Sequence, residues 1–178
     1  VREIITRRQR VKEILKSDSG NQVLKARSYA LKTLANSAYG MFGFFGARYY
    51  SRECAESITA FGRDYIQKTI DNAREEGCNV VYSDTDSIAL VLGDKTLKDA
   101  EDFLARVNKD LPEFMELEFE KYYSRGIFVG RKGNAKGAKK KYALIDNKDN
   151  LKIVGFETVR KDWSLIAREV QKKVLETI

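Results

Sequence analysis

Asp84 and Asp86 interrupt an otherwise apolar stretch, Asn79-Val80-Val81-Tyr82-Ser83-Asp84-Thr85-Asp86-Ser87-Ile88-Ala89-Leu90-Val91. Apolar runs on either side of a polar centre predict a β-hairpin with the acidic pair at its turn. Residues two apart leave the same face of an extended chain, so a tight turn can bring both carboxylates to one point. Two hard oxygen ligands suit Mg²⁺, which commonly takes one or two protein carboxylates and fills its other positions with water and substrate phosphate oxygens. That is the ligand set of phosphoryl-transfer sites. The same tripeptide is also ordinary turn chemistry, because Asp tolerates turn geometry and caps its own backbone.

A second set of residues bears on the choice. From Asn21 to Tyr39 the chain has no Pro and no internal Gly and is rich in Leu, Ala, Lys and Arg, which predicts a helix bracketed by Gly20 and Gly40. Lys25, Lys32, Asn36 and Tyr39 fall on one stripe of that helix, with Leu24, Leu31, Leu34 and Ala35 on other faces. A solvated face commonly mixes Glu with Lys. This one offers cations, an amide and a phenol with no carboxylate to neutralise them. Lysine donates to phosphate as a point charge, Asn can hydrogen-bond a base edge, and a Tyr ring packs on a base or sugar. The stripe has the chemistry of a nucleotide site.

Lys32-Thr33-Leu34-Ala35-Asn36-Ser37-Ala38-Tyr39-Gly40 resembles the Lys-x-x-x-Asn-Ser-x-Tyr-Gly motif of family B DNA polymerases. Tyr82-Ser83-Asp84-Thr85-Asp86-Ser87 resembles their Tyr-x-Asp-Thr-Asp-Ser motif, and the two stand in the family's order. Similarity continues through Arg48-Tyr49-Tyr50-Ser51-Arg52-Glu53-Cys54-Ala55-Glu56-Ser57. Phe128, Lys139-Lys140-Lys141-Tyr142 and Val159-Arg160-Lys161-Asp162-Trp163 are similar to archaeal replicative members. The resemblance implies an α+β fold: a fingers helical hairpin over residues 1–45, the C-terminal part of a palm with the Asp-Thr-Asp hairpin over 46–125, and a palm-to-thumb boundary with a basic DNA-contacting segment over 126–178. It implies template-directed nucleotidyl transfer from a dNTP to a primer 3′-hydroxyl, with two Mg²⁺ ions at Asp86, supported by Asp84. Arg8 and Lys12, four apart and so neighbours on one helix face, match by position the family's triphosphate-binding Arg and Lys; any basic helix offers such pairs. With Lys32 they would grip the β and γ phosphates, while Asn36 and Tyr39 line the nascent base pair.

The resemblance also implies absences. No Asp-x-x-Ser-Leu-Tyr-Pro motif occurs, which in the family supplies another metal-binding Asp, and neither an exonuclease segment nor a complete thumb is present. Alone, the chain is therefore expected to be inactive as a polymerase. The expected partners are primer-template DNA, dNTP and a large polymerase subunit that carries the exonuclease and the first palm motif, as in naturally split archaeal polymerases; a sliding clamp is a further candidate. A proteolytic or cloned fragment is the other explanation, and Val1 leaves the true start open. The rival from another class is a non-catalytic DNA-binding or assembly subunit that retains the fold.

Composition limits the alternatives. Thirty-three Lys plus Arg against 26 Asp plus Glu give a formal net charge of +7 over 178 residues, which suits a polyanionic partner, although many soluble proteins are as basic. An apolar share of 43% supports a packed core in one or two compact units and excludes a disordered tail. No long apolar segment or signal-peptide pattern occurs, so the default expectation is a cytoplasmic protein without a membrane partner. Cys54 and Cys78 lack metal-site spacing and are expected as buried thiols, and the absence of His removes the commonest general base and zinc ligand.

The remaining elements must position these groups. Val1 to Lys16 predicts a basic helix with an apolar stripe of Ile4, Val11 and Leu15. Gly40, Gly43 and Gly46 interleave with Met41, Phe42, Phe44, Phe45, Tyr49 and Tyr50 in a segment whose rings could stack on bases but are better read as core. An amphipathic helix follows from about Arg52 to Glu76, then the acidic hairpin, then a helix near Leu97 to Leu111, ended before Pro112. Met115 to Tyr123 alternates like a strand, with Glu116, Glu118 and Glu120 on one face; by family position Glu118 or Glu120 is a candidate auxiliary metal carboxylate, and a solvated strand face is the competing reading. Arg131 to Tyr142 is the most basic stretch, and its first part, 131–138, reads as an insertion. Lys139, Lys140, Lys141 and Tyr142 are candidate DNA contacts that would add affinity without sequence choice, and Arg160 and Lys161 are expected to approach the primer duplex. Strands at Lys141 to Asp146 and Leu151 to Thr158 and a helix from Trp163 to Ile178 complete the reading.

Overall fold

The computed structural model describes residues 1–130 and 137–177, with side chains at all of these except 137–139. Residues 131–136 of the expected insertion at 131–138, and the side chains of 137–139, therefore lie outside what is described. The chain divides into two compact units, residues 1–67 with 108–116 and residues 68–107 with 117–178.

The first unit is built on two long helices, α1 (Arg2–Ser17) and α2 (Gln22–Gly43), joined by a short turn. Asn21 caps α2 by accepting a hydrogen bond from the Leu24 amide at 3.0 Å, which satisfies one of the unpaired donors of the first turn. The two helices pack along complementary seams. On α1 the seam is Ile4, Arg8, Val11 and Leu15; on α2 it is Leu24, Ser28, Leu31, Ala35, Ala38 and Phe42, the spacing of alternate threes and fours that keeps one stripe facing a neighbour. The helix does not stop at Gly40 as expected. A helical Gly costs about 1 kcal/mol relative to Ala, and the continued seam at Phe42 offsets it. Phe44, Phe45, Tyr49 and Tyr50 are exposed in this unit rather than packed as core. Helix α3 (Arg52–Glu75) follows, and the boundary between the units falls within it.

The second unit holds the end of α3, a two-stranded antiparallel sheet of β1 (Asn79–Asp84) and β2 (Ser87–Val91), and most of α4 (Leu97–Asp110). Ile70, Ala73, Phe103 and Val107 are its buried apolar residues here, as the amphipathic patterns of α3 and α4 require. A three-stranded antiparallel sheet follows in the order β3 (Arg125–Gly130), β4 (Gly137–Ile145), β5 (Leu151–Val154). Ala143, Phe156 and Leu175 form the core between this sheet, a short 3-10 turn (Glu157–Val159) and α5 (Leu165–Leu175), with Val129, Leu151 and Ile153 packed against it.

The outcome is the expected α+β class, with local corrections. Met115 to Tyr123 forms no strand: its alternation is real, but it pairs with no neighbouring strand in either sheet. β5 ends at Val154 rather than Thr158 because Gly155 adopts φ +69°, a conformation that turns the chain out of the ladder. Cys54 is exposed and Cys78 half-buried, so neither is the buried thiol expected, and both are free. No helix among the described residues is long and apolar enough to cross a membrane.

Candidate functional site

In the first unit, the seam fixes which side of α2 faces outward. Lys25, Lys32, Asn36 and Tyr39 are all exposed and lie about a quarter turn round the helix from the seam, on one flank. The sequence-predicted stripe is thus a single surface running along four turns. Arg8 is placed differently: it occupies a seam position on α1, half-buried, and its Nε is buried without a hydrogen-bond partner among the described residues. A buried, unpaired guanidinium nitrogen carries a desolvation cost that the packing of the seam must offset. Lys12 lies one turn further along the same face, half-buried.

In the second unit, β1 and β2 pair from Asn79 with Val91 to Asp84 with Ser87, leaving Thr85 and Asp86 as a two-residue turn. Thr85 takes φ +53°, the left-handed conformation that such tight hairpin turns demand. Side chains knit the turn: Ser87 Oγ donates to the Asp84 carbonyl at 3.1 Å and Thr85 Oγ1 to Asp84 Oδ1 at 3.2 Å. The Asp86 amide donates to the Asp84 carbonyl at 2.6 Å. Asp84 is thereby held at the strand end, with its side chain only 18% exposed, while Asp86 stands exposed at the tip. The two carboxylates differ in surroundings although they are neighbours.

A second layer surrounds Asp84. Tyr82 shares its face of β1, two residues back. The Tyr82 ring stacks on Phe128 of β3 at 5.2 Å between centroids and meets Tyr142 of β4, also at 5.2 Å; Phe128 and Tyr142 are cross-strand partners at 5.5 Å. Burial pushes the Tyr142 phenol above its ordinary pKa. Tyr82 and this ring cluster join the hairpin to the three-stranded sheet, and no sequence motif pointed to that role; the i, i+2 relation of Tyr82 to Asp84 was the available signal. The Lys140 amide donates to the Tyr82 phenol oxygen at 2.8 Å, and Lys140 Nζ lies 3.7 Å from Asp84 Oδ2.

The basic run that sequence treats as one patch is split. Lys140 faces the hairpin, whereas Lys141 faces the core side of the sheet, where its ammonium is 2.7 Å from Glu157 Oε1 and lies over the Phe156 ring. Glu157 also accepts from Gln171 of α5 at 2.6 Å, and these two partners, Lys141 first, lower its carboxyl pKa to about 2. Arg160 is forked onto Asp162 at 2.7 and 3.1 Å, and Lys161 is exposed. Glu120 is bound by Lys152 at 2.5 Å and Glu118 is exposed. Neither glutamate joins the aspartates, and among the described residues no group of three or more acidic or Cys side chains is gathered to hold a metal. Two carboxylates on a knitted turn still match the small protein share of a Mg²⁺ site whose other ligands are phosphate and water.

Asp146, which the sequence did not single out, is buried at the end of β4. It accepts hydrogen bonds from the Lys148 and Asn150 amides at 2.8 and 2.9 Å and from Asn150 Nδ2, and pairs with Lys121 Nζ at 2.5 Å. These donors hold its carboxyl well below the usual carboxylate range, Lys121 foremost.

Comparison with known proteins gives one answer at each level. The family model described as DNA polymerase family B matches residues 1–178. A DNA polymerase of Thermococcus gorgonarius is 42% identical over 99% of this chain, and one of Desulfurococcus sp. (strain Tok) is 44% identical over 99%. The chain spans 23% of the length of each. Among solved structures, the family B DNA polymerase from the hyperthermophilic archaeon Pyrobaculum calidifontis is similar with a TM-score of 0.71 and 31% identity, over 99% of this chain and 21% of that one.

Proposed function

The chain belongs to family B of the DNA polymerases, and from that premise we propose that it supplies the nucleotide-binding helices and the carboxylate turn of a template-directed nucleotidyl transferase. The observation that carries the proposal is the knitted turn of β1 and β2, which presents Asp86 at its tip and Asp84 beside it. In the reaction the primer 3′-oxygen attacks the α-phosphorus of a dNTP; the new P–O bond forms as the bond to pyrophosphate breaks.

Lys32, with Arg8 and Lys12, binds the triphosphate and offsets charge on the leaving pyrophosphate, which is most of what phosphoryl transfer requires of a protein. Arg8 and Lys12 stand one turn apart on the same face of α1, the spacing that lets two cations share one polyphosphate. Asn36 and Tyr39, on the same flank of α2 as Lys32, line the pocket of the nascent base pair. Asp86 and Asp84 are the residues that would hold Mg²⁺. When bound, the ions lower the pKa of the primer hydroxyl and neutralise the phosphate oxygens. Lys140, Lys161 and the Tyr142 edge lie on the segments that follow the primer-template backbone.

Because two carboxylates leave the site short of the family's set, we place the remaining metal-binding Asp, in the first palm motif, on polypeptide outside these 178 residues. A large subunit that also carries the exonuclease is the form we favour. Primer extension with Mg²⁺ should be absent with this chain alone and present once candidate large subunits are added. Silence in every mixture, with DNA binding retained, would replace this reading with a non-catalytic DNA-binding or assembly subunit.

A further inference from the structure

The backbone around Lys140 is irregular in a way that the strand alone does not explain. The pairing of β3 with β4 slips between Phe128 and Gly130, so that β4 carries extra residues there, and Lys140 takes φ +57°. A left-handed Lys costs about 1 kcal/mol or more and persists only where its neighbours over-determine it. Two groups do so. On one side the Tyr82 phenol oxygen accepts the Lys140 amide at 2.8 Å. On the other, the Lys140 carbonyl lies against the bare Cα of Gly155: a Cβ built there would stand 1.7 Å from that oxygen. Bulges beside functional sites commonly re-aim a side chain, and this one turns the Lys140 ammonium to 3.7 Å from Asp84 Oδ2.

We propose that Tyr82 is a positioning residue: by clamping the bulge at Lys140 it holds the Lys140 ammonium against Asp84, and so weakens the grip of the turn's carboxylates on a divalent cation. The inference deepens the reading of the turn as the metal-holding element and rests on it. A cation at Asp84 must displace or share the carboxylate with that ammonium, so its affinity is set partly by a phenol that never touches it. The ring stack with Phe128 and Tyr142 fixes the phenol's position, which separates the role of the hydroxyl from that of the ring.

The test uses this chain and Mn²⁺ as the probe, with the binding isotherm read from paramagnetic broadening of the Asp86 amide. Tyr82→Phe keeps the ring and removes the acceptor. Lys140→Gly keeps the left-handed bulge, which Gly adopts freely, and removes the ammonium. The expected result is that each variant binds Mn²⁺ about threefold tighter, the size of effect an exposed ion pair supports. The double variant should bind no tighter than Lys140→Gly, and hydrogen exchange of the Lys140 amide should quicken about tenfold in Tyr82→Phe, as for a lost hydrogen bond. Unchanged exchange in Tyr82→Phe, unchanged Mn²⁺ affinity in either single variant, or additive effects in the double variant would each overturn the proposal. None of these readouts requires polymerase activity, so failure of primer extension in every mixture would count against the proposed function and leave this result standing on its own.

Discussion

Asp84 and Asp86 are two residues apart, yet the turn gives them unlike surroundings: one is recessed beside an ammonium, the other exposed at the tip. The apolar runs on either side of the pair placed it correctly at a hairpin, but such a local pattern says nothing of Lys140 arriving from a strand more than fifty residues later. Lys32 stands on the exposed flank of α2, and its replacement by Ala in the completed enzyme should raise the KM for dNTP by about tenfold, the worth of one charge-assisted contact to phosphate, as measured by steady-state incorporation. Asp146 makes a prediction about stability rather than catalysis. Its carboxyl is depressed in the folded state, so its contribution is fully present above the unfolded pKa near 4 and is lost progressively as the pH falls below that. Asp146→Ala should therefore unfold at lower temperature than the parent at neutral pH, and the gap between the two melting curves should narrow on acidification. A gap that stays constant down to pH of about 2 would show that the carboxylate charge is not the source of the effect.

Among elements, the helices were the most legible because their seams repeat: α1, α2, α3 and α4 all fall within a few residues of their expected spans. Misreadings arose where a local signal lacked its tertiary partner or met a stronger one. Gly40 reads as a stop, but packing at Phe42 carries α2 through it; Met115 to Tyr123 alternates like a strand, but among the described residues it meets β5 through side chains, such as Glu120 with Lys152, and joins neither sheet. The run Lys139-Lys140-Lys141 reads as one patch, but Lys140 is turned toward Asp84 at a left-handed bulge and Lys141 is committed to Glu157. That contact, with Gln171, ties β4 to α5. Glu157 is lowered from 4.5 to about 2, so the stability it supplies is complete above about pH 4.5 and fades as the pH falls toward 2. Glu157→Gln should lower the melting temperature at neutral pH and converge with the parent near the bottom of that window. Gly155 is the tightest point of the sheet. Gly155→Ala drives a Cβ into the Lys140 carbonyl at a left-handed position and should destabilise the fold by about 1–3 kcal/mol in denaturant unfolding, with the loss concentrated in β4 and β5 exchange protection.

For the whole molecule, the chain covers 23% of the length of the Thermococcus gorgonarius and Desulfurococcus relatives, and several apolar side chains are uncovered: Leu165, Ile166, Val170 and Val174 of α5 and Ile58 and Phe61 of α3 are all exposed. Sequence patterning ranks these positions as apolar but does not say which of them a fold leaves uncovered, because that depends on tertiary packing and not on local period. The positive charge is legible from composition, and it makes a prediction of its own. If the basic segments follow a phosphate backbone, affinity for primer-template DNA should fall steeply and log-linearly with salt, with little dependence on sequence. Whether the turn of β1 and β2 is catalytic is decided by single-nucleotide incorporation in the completed enzyme carrying Asp86→Ala. Incorporation should fall at least about 100-fold while binding of primer-template DNA is unchanged. Incorporation at the parent rate, with the altered chain present in the complex, would contradict it.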